Sequence, residues 1–171
     1  MFQEFLKTFC EIYKVTTMTE GWTLRDMRIA DKTLEAKLHS QRGQLLKTLQ
    51  VIASNSRVRS NEEDPLLLPY YLTLVICKTE IAQLKDGIEK NRLLQLLREV
   101  HHRADKATIR IGDLTNLITR IPAIQETIQP PFLYYDSVNR RLRIVDTRHF
   151  FVLAGINRED LADDIPYPRD D

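Results

Sequence analysis

The chain has 171 residues, long enough for one well-buried domain or for a small domain with a helical extension. Hydrophobic residues make up 43% of it and charged residues 29%, which is ordinary for a soluble globular protein. The net charge of +1 excludes a global attraction to nucleic acid or anionic membrane, so any such contact requires a local basic patch.

The two cysteines, Cys10 and Cys77, lie far apart within apolar helical patterns, and we expect buried free thiols in a reducing compartment. No uncharged run approaches the roughly 20 residues that a membrane span needs, and the sequence does not start with a secretory signal. We therefore expect a cytoplasmic protein that does not contact a membrane.

Residues 1–88 are predicted to form a helical bundle that serves in assembly. Apolar residues at helical spacing indicate a first helix within residues 2–13. Residues 20–54 contain no proline and repeat apolar residues at alternating spacings of three and four, which predicts a long helix packed along a neighbour. A free-standing coiled-coil dimer is the weaker alternative, because polar residues interrupt this repeat.

The polar, charge-rich residues 55–65 predict a linker. The apolar run that follows predicts the central core helix over residues 66–85, with Pro69 in its first turn, where the missing N–H costs nothing. A buried strand over residues 70–77 is the alternative, because these residues are rich in β-branched and aromatic types. Helix is preferred, since apolar residues continue at helical spacing beyond this run.

Residues 108–153 have the pattern of two short helices followed by two strands around a basic turn. A third helix, over residues 91–103, is predicted to precede them. Asp113 lies where it can cap the first short helix, and Pro122 suits the first turn of the second, which we expect over residues 122–129. The five apolar anchors that such a helix pair needs are supplied by Leu114, Ile118, Ile121, Ile124 and Ile128.

The wing is a predicted hairpin made of two β-rich runs, residues 132–135 and 142–145, on either side of a turn around Asn139. The basic residues of this part of the chain concentrate here. They are Arg140, Arg141, Arg143 and, just beyond, Arg148.

On these helices and this hairpin, residues 91–153 resemble the winged helix-turn-helix domains of prokaryotic regulators. They are also similar to the winged-helix modules that follow the nucleotide-binding core in signal-transduction ATPases of the STAND type. The chain has no P-loop and is not expected to be a whole ATPase of that type. The resemblance implies a binding surface made of the wing and the exposed face of the second helix, with Gln125, Thr127 and Gln129.

The predicted fold class is therefore mainly α. An N-terminal helical bundle, residues 1–88, precedes a C-terminal winged-helix domain with a short β-hairpin, residues 89–155, and an acidic tail, residues 156–171. The alternative for the second part is a small α+β cap whose hairpin merely closes the core.

The predicted second helix differs from the recognition helix of a DNA-binding protein, because it has no lysine or arginine and carries Glu126, which would repel phosphate. The wing arginines could hold phosphate or meet an acidic protein surface through bidentate bonds. We expect a non-enzymatic protein-interaction or adaptor module, as a subunit or domain of a larger assembly, that binds another protein or a second copy. The alternative is a DNA-binding regulator whose arginine wing contacts phosphates.

Catalytic chemistry is not expected. The sequence has no glycine-rich phosphate loop and no Cys-x-x-Cys motif, and we expect no cofactor, metal or small-molecule substrate. The adjacent His101 and His102 point in different directions on a helix and are expected at a solvated helix end. His149 has no nucleophile in a recognisable setting nearby in the sequence.

Overall fold

The structure, a computed structural model, describes residues 24–56 and 65–168. This part of the chain is mainly helical, with seven α-helices and one small antiparallel sheet, which confirms the predicted fold class. The predicted helix within residues 2–13, most of the predicted linker and Cys10 lie outside the described residues. No described helix is long and apolar enough to cross a membrane.

The first described helix, α1, spans Leu24–Ser54, close to the predicted range. The chain forms two compact units, Met1–Gln44 and Leu45–Asp171, and α1 contributes residues to both. Within the second unit, the last part of α1 supplies core residues that are at most 1% exposed: Leu45, Leu49, Ile52 and Ala53.

The predicted central core helix is confirmed as a helix, although it is divided in two. Helix α2 spans Leu68–Lys78 with Pro69 in its first turn, and α3 spans Ile81–Asp86. Thr79 and Glu80 separate them, and the Thr79 hydroxyl donates to the Val75 carbonyl at 2.7 Å. Cys77 is a buried free thiol, as predicted, and burial raises its pKa to about 12.

A three-stranded sheet closes the second unit, with β3 in the centre and β1 and β2 at the edges. The apolar side chains of one face are buried, and Leu142 of β3 pairs with Ile88 of β1 while Ile144 pairs with Leu133 of β2. In chain order the elements are β1 (Ile88–Glu89), α4 (Lys90–Val100), a 3-10 turn (Lys106–Thr108), α5 (Ile111–Ile124), β2 (Leu133–Asp136), β3 (Arg141–Ile144), α6 (Arg148–Gly155) and α7 (Arg158–Asp163).

The predicted helix over residues 122–129 is wrong, because α5 continues unbroken through the expected turn to Ile124. Pro122 lies in the last turn of α5, where its missing N–H removes a single hydrogen bond. The chain then turns at Gln125, and Pro130 and Pro131 prevent a new helix from forming.

Other features of this region follow the sequence pattern. The Asp113 carboxylate caps the start of α5 by accepting the Arg110 backbone N–H at 2.8 Å. The five predicted anchors all belong to the core or pack against it, with Leu114, Ile121 and Ile124 buried and the other two partly buried.

The acidic C-terminal segment also packs against the core, through α7. Leu161 is 0% exposed and Ile165 3% exposed, and the Arg158 guanidinium donates to the Thr79 carbonyl. The Asn157 side chain caps α7 by accepting the Glu159 N–H at 3.0 Å. The predicted boundaries at residues 88 and 155 stay predictions.

The prediction that His101 lies at a solvated helix end is wrong, because only 3% of this residue is exposed. Its ring lies 4.2 Å from that of Tyr71 and 4.5 Å from that of His102, between centroids. Nδ1 accepts the Arg103 backbone N–H at 3.1 Å, so Nε2 carries the proton and donates to the Leu66 carbonyl at 2.8 Å. The neutral imidazole therefore ties the segment before α2 to the end of α4.

Burial lowers the pKa of His101, so the free energy of unfolding should fall as the pH drops through the ordinary histidine value of about 6.5. The unfolded state binds more protons than the folded state below about pH 6.5, so this stabilisation is complete above that pH and is lost on acidification. Burial also lowers the pKa of His149, which acts in the same direction. Urea unfolding should show a weaker pH dependence in His101→Gln than in the wild type, with His39→Gln, at an exposed position, as the control for loss of a histidine. An unchanged dependence in His101→Gln would contradict the assignment.

Candidate interaction surface

The β2–β3 hairpin, which was predicted as the wing, is held in shape by Asp136 at the end of β2. One carboxylate oxygen accepts the backbone N–H groups of Val138 and Asn139 at 3.1 and 3.0 Å, and the other accepts the Asn139 side-chain amide at 2.7 Å. The hydrogen bond from the Asn139 side chain is the main reason that the pKa of Asp136 lies below its usual value. Arg140 completes the turn in the left-handed conformation, at φ 52°.

Three of the four predicted wing arginines have a hydrogen-bond acceptor or an ion-pair partner within their own chain. Arg141 Nη1 donates to the carbonyls of Gly87 and Asp86 at 2.9 and 3.3 Å. Arg143 Nε lies 3.7 Å from an Asp136 carboxylate oxygen. Each of these arginines is thus partly neutralised or used to hold the hairpin against the loop before β1.

Arg148 is the third arginine with an internal acceptor. Its guanidinium donates to Asp146 through Nε at 2.7 Å and Nη2 at 2.6 Å. The side-chain hydrogen bond lowers the pKa of Asp146. Arg140, by contrast, is exposed in the turn between β2 and β3. The structure therefore does not gather the four arginines into one open cationic patch.

Gln125 was predicted on an exposed helix face, but it is buried, with only 5% exposure. Its Oε1 accepts the backbone N–H groups of Phe132 and Leu133 at 3.1 and 2.9 Å, and its Nε2 donates to the Leu133 carbonyl. A glutamine side chain and a peptide group carry the same donor and acceptor. Gln125 therefore occupies the place that a residue of a neighbouring strand would take beside β2.

The register of the sheet determines which groups of β2 face outward. The Val145 N–H donates to the Phe132 carbonyl at 3.0 Å, so hydrogen-bonded pairs with β3 recur at every second residue from that point. The N–H and carbonyl groups of Leu133 and Tyr135 consequently point to the free edge. Those of Leu133 are taken by Gln125, and no described residue bonds to those of Tyr135.

A groove of about 650 Å³ lies between the C-terminal half of α5 and this edge of β2. Glu126 is its one charged lining residue, and most of the others are apolar. Tyr134, at its border, is 58% exposed. Its lining also includes Ile118, Thr119, Pro122, Ile128 and Tyr135.

The sequence pattern missed the groove because it assigned a second helix to the segment that forms one end of it. Of the predicted binding residues there, Thr127 and Gln129 are exposed, and Gln129 also lines the groove. A signal was nevertheless present. Period-two alternation in β2 points Leu133 and Tyr135 to one face and Tyr134 to the other, which indicates an exposed aromatic residue on a short edge strand.

The exposed surface of α5 carries little charge. Its solvent-facing residues include Thr115, Asn116, Thr119 and Ala123, and its one arginine, Arg120, is half-buried.

Among the described residues, no group of three or more His, Cys, Asp or Glu side chains could hold a metal ion. No protein-family model, curated protein or solved structure matches the chain.

Proposed function

We propose that the chain is a non-enzymatic protein-interaction module that docks a partner protein on a winged helix. In this proposal α4 and α5 are the helix-turn-helix pair and β2 with β3 is the wing. The order β1, α4, α5, β2, β3 supports it, as does the placement of β3 between the two edge strands. The helix in the recognition position is then α5, one helix earlier in the chain than the sequence pattern indicated.

The observation that carries the proposal is the internal pairing of the wing arginines. Binding to duplex DNA depends on cationic side chains that replace counterions along the phosphates. Here Arg143 and Arg148 face Asp136 and Asp146, and Arg141 bonds to backbone carbonyls. A phosphate would have to compete with these internal partners, which lowers the gain from binding DNA.

The surface of α5 supports the same choice. Its exposed residues are uncharged, and the groove beside it is mainly apolar with a single acidic residue, Glu126. An apolar, mildly acidic concave surface next to an exposed tyrosine suits a protein partner better than a polyanion. DNA binding through the wing is the second candidate, and the exposed Arg140 is the feature that favours it.

The two candidates are separated by titrating the protein with a fluorescent random DNA duplex at low salt. We expect no anisotropy change at tens of micromolar protein, because too few cations are available. Binding that is lost in a triple variant, with Arg140, Arg141 and Arg143 replaced by Ala, would assign the wing to DNA and overturn the proposal.

The protein-docking side is tested by affinity purification with quantitative mass spectrometry, comparing the wild type with Tyr134→Arg. Val138→Arg is the matched control, since Val138 is 89% exposed at the tip of the same hairpin. We expect a defined protein to be retained by the wild type and the control, and to be lost from Tyr134→Arg. Identical retention by all three proteins would contradict docking at this surface.

A further inference from the structure

The outer edge of β2 has no neighbouring strand among the described residues, and the Gln125 side chain occupies part of it. Gln125 supplies one peptide-like group beside Leu133, and the next outward N–H and carbonyl, those of Tyr135, face the groove without a described partner. Exposed strand edges recruit extended backbone, because only another strand offers donors and acceptors at the matching spacing.

The wall opposite this edge suits a peptide side chain. Ile118, Thr119 and Pro122 of α5 line the groove, and Ile128 lines it from the loop that follows. An edge strand beside a helix is the arrangement in which added strands gain affinity from main-chain bonds and specificity from side-chain pockets. The volume of about 650 Å³ is sufficient for a few side chains.

The single charged residue in the groove lining favours some extended segments over others. Glu126 is exposed and is the one charged residue of the lining, so an acidic segment is repelled and a basic residue is attracted.

We infer that the groove binds an extended, mainly apolar segment of a partner protein, which adds a strand beside Tyr135 and places a basic residue near Glu126. This rests on the proposed protein-docking function and names the chemistry of the partner. The bound segment lies along the same edge of β2 as the Gln125 side chain. Because that side chain already occupies part of the edge, it limits the number of β2 residues with which the segment can pair.

The test starts from a phage-displayed library of random ten-residue peptides, selected on the whole chain and counter-selected on Thr119→Trp, which fills the groove from an exposed position of α5. We expect enrichment of β-branched, apolar peptides that contain lysine or arginine. A synthetic copy should bind Thr119→Trp at least about tenfold more weakly than wild type, and Asn116→Trp, also exposed on α5 but outside the groove lining, within about twofold.

Two further measurements report on the strand and on the charge. Hydrogen exchange of the Tyr135 amide should slow when the peptide binds, and N-methylation of the paired peptide residue should weaken binding about tenfold. Glu126→Lys, at an exposed site that does not endanger folding, should reverse the preference from basic to acidic peptides.

Three outcomes would overturn the inference. They are no enriched peptide, enriched peptides that bind Thr119→Trp as well as wild type, and an unchanged Tyr135 amide. If the Tyr135 amide is protected without peptide and the protection rises with protein concentration, a second copy of the chain covers the edge. If the protection does not change with concentration, the chain itself covers the edge. The proposed function fails separately, through duplex binding or a partner indifferent to Tyr134→Arg.

Discussion

Replacing Gln125 by Met is expected to cost about 3 kcal/mol of the free energy of unfolding, because three backbone groups lose their partner in a buried place. Methionine has nearly the same length and volume, so the change removes hydrogen bonds without opening a cavity. The affected groups are the N–H of Phe132 and both the N–H and the carbonyl of Leu133. Urea unfolding followed by circular dichroism measures the loss.

The matched control is Gln129→Met, four residues further on, where the side chain is exposed and its bond to the Glu126 carbonyl is long, at 3.5 Å. It should change the stability by less than about 0.5 kcal/mol. Equal effects at the two positions would show that Gln125 does not hold the edge of β2, and would also weaken its role as the start of an added strand.

Replacing Gly87 by Ala is expected to cost roughly 3 kcal/mol, because its backbone conformation suits glycine alone and its surroundings leave no room. Gly87 has φ 81° and ψ 141°, and an added Cβ would lie 2.9 Å from Arg143 Cγ and 3.2 Å from the Leu142 carbonyl oxygen. The side-chain atom could move, but the carbonyl belongs to the centre of the sheet. Pairing of β1 with β3 should loosen, which amide exchange at Leu142 would report.

Gly112→Ala provides the opposite expectation within the same fold. Gly112 lies in the first turn of α5 with nothing near its missing Cβ, so alanine should stabilise the protein by about 0.5 kcal/mol. If both glycine variants changed stability alike, the conformation of Gly87 would not be the cause of its effect.

Much of the second unit could be read from local patterns. Pro69 marked the start of α2, the apolar anchors from Leu114 onward marked a buried helix face, and alternation marked the hairpin. The pattern failed at the end of α5, because Pro122 is as compatible with the last turn of one helix as with the first turn of the next.

The sequence by itself determined the types of most elements and which of their faces are apolar, since these depend on residues three or four positions apart in a helix and two in a strand. Tertiary structure decided the chemistry of the surface. The acceptors of Arg141 lie 54 and 55 residues away in the chain, and Gln125 reaches across the turn to β2. Such hydrogen bonds form only after the chain has folded back on itself, and they place Arg141 and Gln125 in the framework that supports the predicted binding surface.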